Sequence, residues 1–325
     1  LRPHFQRAAI LYNPAAGGGL QQAVKRVDAA AAALRRQVPK VELFPTTPDR
    51  RADLLAQEAV ASGFDLIAPC GGDGTINEVV NGIVRAGPGA AVSLLPLPAG
   101  TANVLAWETG LPVDPVQAAD ALPSLLPCDV DLGVVEFPAA QSERYFLLMA
   151  GAGVDAGAVY RLNVDLKKRV GILAYFASGL AQLFRPFDQL RLRVGEEELT
   201  GTLVVASKSR LYGGKLVLTP HAHLLEDDFD VVCFRSASPV IYTGYMAGVL
   251  TRTIRRFRGV QWRRARTLEL LPSNNPHVYI QVDGELAGRL PARIRMGAAR
   301  IRVLLPAAYA AKHPERVVEF EQAPA

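Results

Sequence analysis

The segment Pro69-Cys70-Gly71-Gly72-Asp73-Gly74-Thr75-Ile76-Asn77-Glu78 concentrates glycines, a carboxylate and a hydroxyl in one short stretch. The apolar run Leu66 to Pro69 precedes it and a helical pattern from Thr75 to Arg85 follows it. It therefore reads as a turn from strand into helix. Such a turn suits a phosphate group. Glycine permits close backbone approach and positive φ, and a helix N-terminus offers N–H groups to an anion. Thr75 can donate its hydroxyl to a phosphate oxygen. Asp73 has the chemistry of an outer-shell ligand or orienter for a magnesium ion carried by that phosphate. A tight turn with a helix cap is the plainer alternative, and the order Gly-Gly-Asp-Gly-Thr at a strand end makes it the weaker one.

Two further loops occupy the same kind of position. Asn13-Pro14-Ala15-Ala16-Gly17-Gly18-Gly19 follows the strand Ala8 to Tyr12 and precedes the Ala-rich helix Leu20 to Gln37. Pro98-Ala99-Gly100-Thr101-Ala102-Asn103 follows the strand Val92 to Pro96 and precedes a helix from Val104 to Thr109. Loops at successive strand C-termini converge on one crevice, which is where open α/β sheets bind ligands. Neither a Walker-type Gly-x-x-x-x-Gly-Lys-Ser/Thr loop nor a Gly-x-Gly-x-x-Gly after the first strand occurs.

The elements that must position these loops alternate through residues 1–128, with Val41 to Phe44 as a further strand and Arg50 to Ser62 as a further helix. That alternation predicts an α/β layer structure. From 129 to 305 strand patterns dominate: Val130 to Phe137, Tyr145 to Ala150, Gln189 to Val194, Gly201 to Ser207, Val231 to Phe234, Thr267 to Leu271, Val278 to Val282 and Arg300 to Leu305. Helical stretches near Arg169 to Phe184 and Val240 to Arg256 interrupt them. This predicts a mostly antiparallel β domain with embedded helices. A polar tail, 306–325, is left to pack back on the first domain or to stand apart.

Bulk composition narrows the class. Half of the 325 residues are apolar and 21% are charged, an ordinary globular balance for about two domains. Cys70, Cys128 and Cys233 are far apart and odd in number, which argues against a disulfide framework or a Cys-rich zinc site. A reducing, cytoplasmic setting fits. His221 and His223 read as polar loop residues rather than metal ligands. No run reaches the ~18 apolar residues of a membrane span, and Leu1 to Arg7 does not read as a signal peptide. The net charge is +5 and the pI about 9.2, with seven arginines between Arg252 and Arg266 beside Phe257 and Trp262. Such a patch suits anionic lipid head groups or nucleic acid, and equally a solvated face.

With these residues in view, the chain resembles a known family. Gly71-Gly72-Asp73-Gly74-Thr75 is similar to the nucleotide signature of diacylglycerol kinases, sphingosine kinases, NAD kinases and phosphofructokinases. Pro98-Ala99-Gly100-Thr101-Ala102-Asn103 and Asn13-Pro14-x-x-Gly17 resemble the diacylglycerol and sphingosine kinase branch. Ala150 to Ala156, Tyr212-Gly213-Gly214 and Val282-Asp283-Gly284-Glu285 extend the resemblance to about Pro306. It implies an α/β nucleotide-binding domain followed by a β-sandwich, with the active site in the cleft between them.

The resemblance also implies roles. ATP would be held by Asn13, by Gly71, Gly72, Asp73, Gly74, Thr75, Ile76 and Asn77, by Thr101, and by Thr46 or Thr47, with Thr46 favoured. Asp283 or Glu285 would be the base that accepts the acceptor's hydroxyl proton. Mg2+ would accompany the nucleotide near Asp73. A second, structural Mg2+ would sit at the acidic turn Leu225-Glu226-Asp227-Asp228-Phe229-Asp230, on Glu226 or Asp227. This turn departs from the family pattern by lacking its glycine, and an acidic turn without metal is the equal alternative.

The expectation is thus an ATP-dependent lipid kinase, acting on a lipid such as diacylglycerol at a membrane surface. Lys167, Lys168 and Arg169, beside Leu173, Tyr175 and Phe176, would suit an interfacial helix, as would the Arg252 to Arg266 patch. No nucleic-acid partner is expected, and the resemblance allows a homodimer through the sandwich. The rival readings are an NAD kinase-like phosphotransferase and a non-catalytic nucleotide or lipid binder.

Overall fold

The computed structural model describes residues 4–15, 20–87, 92–154, 187–272 and 278–318. The chain divides into two units, Leu1–Leu132 with Ala298–Ala325, and Gly133–Gly297.

The first unit alternates strand and helix. It contains β1 (Arg7–Tyr12), α1 (Leu20–Arg35), β2 (Lys40–Pro45), α2 (Ala52–Ala61), β3 (Leu66–Gly71), α3 (Asp73–Ala86), the short β4 (Ser93–Leu94) and β5 (Leu97–Pro98), α4 (Val104–Thr109), α5 (Pro115–Asp120) and the start of β6 (Leu125–Phe137). β1 lies between β2 and β3, and all three are parallel. β4 and β5 continue the sheet in parallel beyond β3. Every residue of β3 is buried, as a parallel strand covered on both faces requires. On one face Ile10, Leu66 and Ala68 pack with Val27, Ala31 and Leu34 of α1. The chain leaves β1 to one side for β2 and returns on the other side as β3. The carboxyl ends of β1 and β3 therefore flank a topological switch point.

The second unit is antiparallel. After β7 (Ser142–Phe146) come β8 (Met149–Gly153), β9 (Leu190–Val194), β10 (Glu197–Gly201), β11 (Leu203–Ser207), β12 (Leu211–Tyr212), β13 (Leu216–Val217) and β14 (Phe229–Phe234). Then follow the helix α6 (Pro239–Leu250), β15 (Val260–Ala265), β16 (Thr267–Leu270), β17 (Tyr279–Val282), β18 (Glu285–Arg289) and β19 (Ala292–Pro306). One sheet has the order β15-β14-β11-β8-β17-β18. Opposite it, β10, β9, β16 and the first part of β19 pair in sequence. Alternate residues of the two sheets meet in one core: Ala150, Ala152, Val204, Ala206, Phe229 and Val231 against Val135, Phe146, Leu192, Leu268 and Ile294. Burial alternates along β9 and the first part of β19, whereas β8, β11, β14 and β17 are buried on both faces; two sheets sharing one core make a sandwich. The α/β unit followed by an antiparallel β-sandwich is the fold expected from the sequence.

Local differences have physical causes. The two compact units divide at Leu132/Gly133 and Gly297/Ala298, inside the strands β6 and β19. The single strand expected from Tyr145 to Ala150 is interrupted at Leu147-Leu148, whose N–H groups bond to a side chain, the Asp283 carboxylate. The helix expected from Val240 to Arg256 ends at Leu250, and Arg252 takes a left-handed φ of 59°. The expected helix Arg169 to Phe184 lies outside the described residues. After β19 the chain stays with the first unit: Val318 N–H donates to the Pro127 carbonyl at 2.9 Å, and Arg316 Nη1 to Asp131 Oδ2 at 2.7 Å. Burial opposes the charge on Asp131, yet its hydrogen bonds from Arg300 and Arg316 hold the carboxyl below its usual range. Among the described residues, no helix is long and apolar enough to cross a membrane.

The helix that carries the glycine-rich turn is seated through a glycine. A Cβ on Gly82 of α3 would stand 2.3 Å from the Asp53 carbonyl oxygen and 2.7 Å from Ala56 Cβ, both in α2. Gly82→Ala is expected to lower stability by about 1–3 kcal/mol through overpacking. Urea unfolding checks this as a lower midpoint with an unchanged slope.

Candidate functional site

The switch point holds a small depression lined by Tyr12 and Asn13 at the end of β1, Cys70 and Gly71 at the end of β3, Arg26 of α1, and Ala99. Asn13 Oδ1 accepts the Ala15 N–H at 2.8 Å and sets the direction of its loop. Gly17 to Gly19 lie outside the described residues. Thr46 N–H donates to the Tyr12 carbonyl at 2.8 Å, which places Thr46 beside the same strand end. Thr47 Oγ1 instead accepts the Arg50 N–H at 3.1 Å inside its own turn, and this favours Thr46 of the two. Burial pushes the Cys70 thiol up to about 12, against the pull of Arg26. Cys70 is therefore a neutral wall residue at neutral pH.

The Asp73 carboxylate joins two of the three loops. Its Oδ2 accepts the Val104 N–H at 3.0 Å and its Oδ1 the Leu105 N–H at 3.2 Å. These are first-turn donors of α4, which have no acceptor within their own helix. Each such bond to a charged acceptor contributes about 2 kcal/mol. Ala99 N–H donates to the Gly71 carbonyl at 2.8 Å, a second tie between the loops. Their backbones then meet at glycines. A Cβ on Gly100 would lie 2.4 Å from Gly72 Cα, and one on Gly72 would lie 3.3 Å from Gly100 Cα. Asn103 closes the second loop on itself, accepting the Gly100 N–H and donating to the Gly100 carbonyl, both at 3.0 Å. Asn103 adopts φ 46°, a left-handed conformation that asparagine tolerates better than most residues.

The other predicted nucleotide residues divide by exposure. Thr101 is exposed on the second loop, and Gly74 and Thr75 are half-buried in the first turn of α3. A Cβ on Gly71 would collide with Thr75 Oγ1 at 2.5 Å, so that glycine makes room for the hydroxyl. Ile76 and Asn77 point inward and are buried. Ile76 N–H is bonded to the Gly72 carbonyl at 3.1 Å, and the Asn77 side chain lies 3.3 Å from Asn81 Nδ2. Both residues pack the helix rather than line the depression.

In the second unit, Asp283 and Gly284 form the turn between β17 and β18, with φ values of 47° and 83°. Two successive positive values are what a tight hairpin needs. The buried Asp283 carboxylate accepts three backbone N–H groups at 2.9 Å each, from Leu147, Leu148 and Met149. Its oxygens are committed to the chain entering β8. Glu285, at the start of β18, is half-buried. Of the two candidate bases, the geometry favours Glu285.

The acidic turn is matched to basic side chains rather than to a metal. Arg264 Nε reaches Asp228 Oδ2 at 2.9 Å and its Nη2 reaches Glu226 Oε2 at 2.5 Å, while Arg266 pairs with Asp227. Burial works against the charge on Arg264, but its hydrogen bonds to Asp228 and Glu226 hold it firmly protonated. Lys208 is fully buried, and its Nζ donates to the Glu226 carbonyl. Burial pushes the Asp230 carboxyl up despite the His221 N–H that it accepts. Among the described residues, no group of three or more His, Cys, Asp or Glu is arranged to hold a metal. The side chains of Glu226 and Asp227, the two residues expected at a structural magnesium, are engaged here by Arg264 and Arg266. Both Asp73 oxygens accept a backbone N–H group, which is compatible with the outer-shell role expected of it. His221 Nε2 contacts Arg255 at 2.8 Å, and His223 Nδ1 accepts the Leu225 N–H at 3.3 Å, so both histidines serve this turn.

Sequence reasoning assigned no part to Asn103 as a loop lock or to Lys208 as a buried cation. The first had a signal, an Asn just before a helical run. The second had none, because a lysine in a strand-like stretch reads as exposed.

Residues 7–135 match the family described as diacylglycerol kinase catalytic domain. Residues 149–305 match the YegS C-terminal NAD kinase beta sandwich-like domain. The diacylglycerol kinase of Mycobacterium tuberculosis is 31% identical over 313 residues, 94% of this chain and 97% of that one. The probable lipid kinase YegS-like of Pseudomonas aeruginosa is 31% identical over 295 residues, 89% of this chain and 92% of that one. A crystal structure of a diacylglycerol kinase from Bacillus anthracis shares the fold, with a TM-score of 0.70 at 21% identity over 94% of this chain and 99% of that one.

Gly100→Ala is expected to push the two loops apart, to weaken ATP binding about tenfold or more in titration calorimetry, and to lower stability by about 1–3 kcal/mol as at Gly82. Because the acidic turn is held by fixed positive side chains, EDTA is expected to leave the thermal unfolding midpoint of the ligand-free protein unchanged. A fall of several degrees that magnesium reverses would mean a structural metal is bound there.

Proposed function

The chain belongs to the lipid kinases that carry the diacylglycerol kinase catalytic domain, and from that premise we propose that it phosphorylates diacylglycerol to phosphatidic acid with ATP. The observation that supports this most is the Asp73 carboxylate clamping the Gly71 to Thr75 turn to the Pro98 to Asn103 loop. It gives first-turn N–H groups and glycine backbone a fixed geometry beside the switch point, a setting suited to a polyphosphate.

In this reading Asn13, Thr46, Thr75 and Thr101 contribute polar contacts around the nucleotide, and Gly71, Gly72 and Gly74 let the backbone approach it. Magnesium bound with the nucleotide would neutralise phosphate charge, with Asp73 within reach only through water. Glu285 accepts the proton of the lipid hydroxyl. The hydroxyl oxygen bonds to the γ-phosphorus as the bond to the β,γ-bridging oxygen breaks, and ADP leaves. Phosphoryl transfer asks mainly for positioning and charge stabilisation, which preset loops supply. Asp283 holds the hairpin that carries Glu285 and takes no part in proton transfer. The acceptor lies in a membrane, and the enzyme meets it peripherally, from the cytoplasmic side.

The test is a panel of lipids incubated with radiolabelled ATP and separated by thin-layer chromatography. Label in phosphatidic acid is expected, and label in NAD phosphate with none in any lipid would replace this reading. Glu285→Gln is expected to lower kcat about 100- to 10,000-fold with the fold intact. Asp283→Ala is expected to lose several kcal/mol of stability instead, at about 1–3 kcal/mol for each N–H left without its acceptor. Circular dichroism melts beside the kinase assay separate the two effects.

A further inference from the structure

The helix α6 is apolar on every side, and no charged residue occurs in Pro239–Leu250. Its inner face accounts for its place in the fold. Tyr242 and Tyr245 are buried against Phe187, Phe234 and Phe257, with ring centroids 4.4, 5.2 and 5.7 Å apart for the pairs Phe187–Tyr242, Phe234–Tyr245 and Tyr245–Phe257. Tyr242 and Thr202 hydroxyls add a hydrogen bond of 2.5 Å.

The outer face has no such explanation. Val240, Thr243, Met246, Ala247 and Leu250 follow the helical repeat and are exposed, Val240 to 78% and Leu250 to 60%. The single hydroxyl among them, Thr243 Oγ1, is turned back onto the Val240 carbonyl at 2.7 Å, so the stripe presents methyl groups. A helix that is apolar all round belongs in a core or at a lipid surface, and half of this one is outside the core.

Charge lies next to it. Arg252, Arg255, Arg256 and Arg258 follow the helix and are all exposed. Among the described residues none of them pairs with a carboxylate, whereas Arg263, Arg264 and Arg266 of the same sequence run are paired with Glu197, Glu226, Asp228 and Asp227. The stretch 239–258 contains no acidic residue. A helix C-terminus attracts one or two basic residues through its dipole, but not four together with a bare apolar stripe.

We propose that the outer face of α6, with Arg252, Arg255, Arg256 and Arg258, is the surface on which this protein seats itself on an anionic lipid bilayer. The helix lies in the headgroup region with Val240, Met246 and Leu250 inserted, and the arginines contact lipid phosphates. Apolar burial and attraction to anionic headgroups act together in such interfacial helices, each nearby basic residue strengthening association roughly fivefold. A second copy of the chain is a poorer occupant, because the same face would offer these arginines no carboxylate. The proposal rests on the lipid acceptor proposed above, for it supplies the contact that a kinase without a membrane-crossing helix among its described residues needs to reach that acceptor.

The test is cosedimentation of the full chain with vesicles of phosphatidylglycerol and phosphatidylcholine, and with phosphatidylcholine alone. Two exposed double variants are compared with the parent, Val240→Ser with Leu250→Ser, and Arg256→Gln with Arg258→Gln. The parent is expected to prefer the anionic vesicles, and each variant to bind them about tenfold or more weakly. Both variants are expected to keep parental turnover of a short-chain, water-soluble diacylglycerol. Parental vesicle binding by both variants would overturn the proposal. So would conversion of a dimer to a monomer by the Val240/Leu250 variant in sedimentation velocity, which would assign the face to a second copy. If the variants lose vesicle binding but the parent phosphorylates no lipid, the surface stands and the kinase reading falls.

Discussion

One carboxylate holds the candidate site together. Asp73 begins α3 yet spends both oxygens on the first turn of α4, thirty-one and thirty-two residues further along the chain. Without it, the first turn of α4 would need another acceptor, and the Ala99 to Gly71 bond and the β3–β5 pairing would be left to hold the glycine-rich turn to the next loop. The glycines follow from the clamp. Once Asp73 draws the loops together, Gly72 and Gly100 meet backbone to backbone, leaving no room for a side chain at Gly100. The same device recurs in the sandwich, where Asp283 gathers three N–H groups and interrupts a strand to do so. Both aspartates have the residue type of catalytic or metal-binding groups, and in both the carboxylate is occupied by backbone.

Much of the α/β unit was legible in the sequence, because apolar runs ending in glycine-rich loops have few other meanings. The positions of β1, β2 and β3 and of the helices between them follow from periodicity. The short β4 and β5 do not: β4 covers only Ser93–Leu94 of what reads as one strand from Val92 to Pro96, and β5 forms beyond that run by pairing with the end of β3. In the sandwich, alternation located most strands but not their breaks. The break at Leu147-Leu148 depends on Asp283, well over a hundred residues away, and no local pattern carries that information. The end of α6 at Leu250 depends on the left-handed turn at Arg252, which no residue preference announces.

The site was legible in its motifs and less so in its roles. The resemblance put Ile76 and Asn77 with the nucleotide, and in the structure both side chains are buried in α3. The acidic turn shows the same limit more clearly. The resemblance put a metal on Glu226 or Asp227, with a metal-free acidic turn as the equal alternative, and the sequence did not show that Arg264, Arg266 and the buried Lys208 surround this turn. Those partners lie eighteen to thirty-nine residues away in sequence. The arginine run that read as one basic patch is in fact two things: paired side chains on and beside β15, and four exposed ones after α6.

The clamp role of Asp73 can be separated from a metal role by measuring ATP affinity without magnesium. Parent and Asp73→Ala are titrated with ATP in EDTA by calorimetry. Loss of two charge-assisted bonds loosens the loop whether or not a metal is present, so the variant is expected to bind about tenfold or more weakly in EDTA. Equal affinity of parent and variant in EDTA, with a deficit only when magnesium is added, would contradict the clamp and make Asp73 a metal-directed residue.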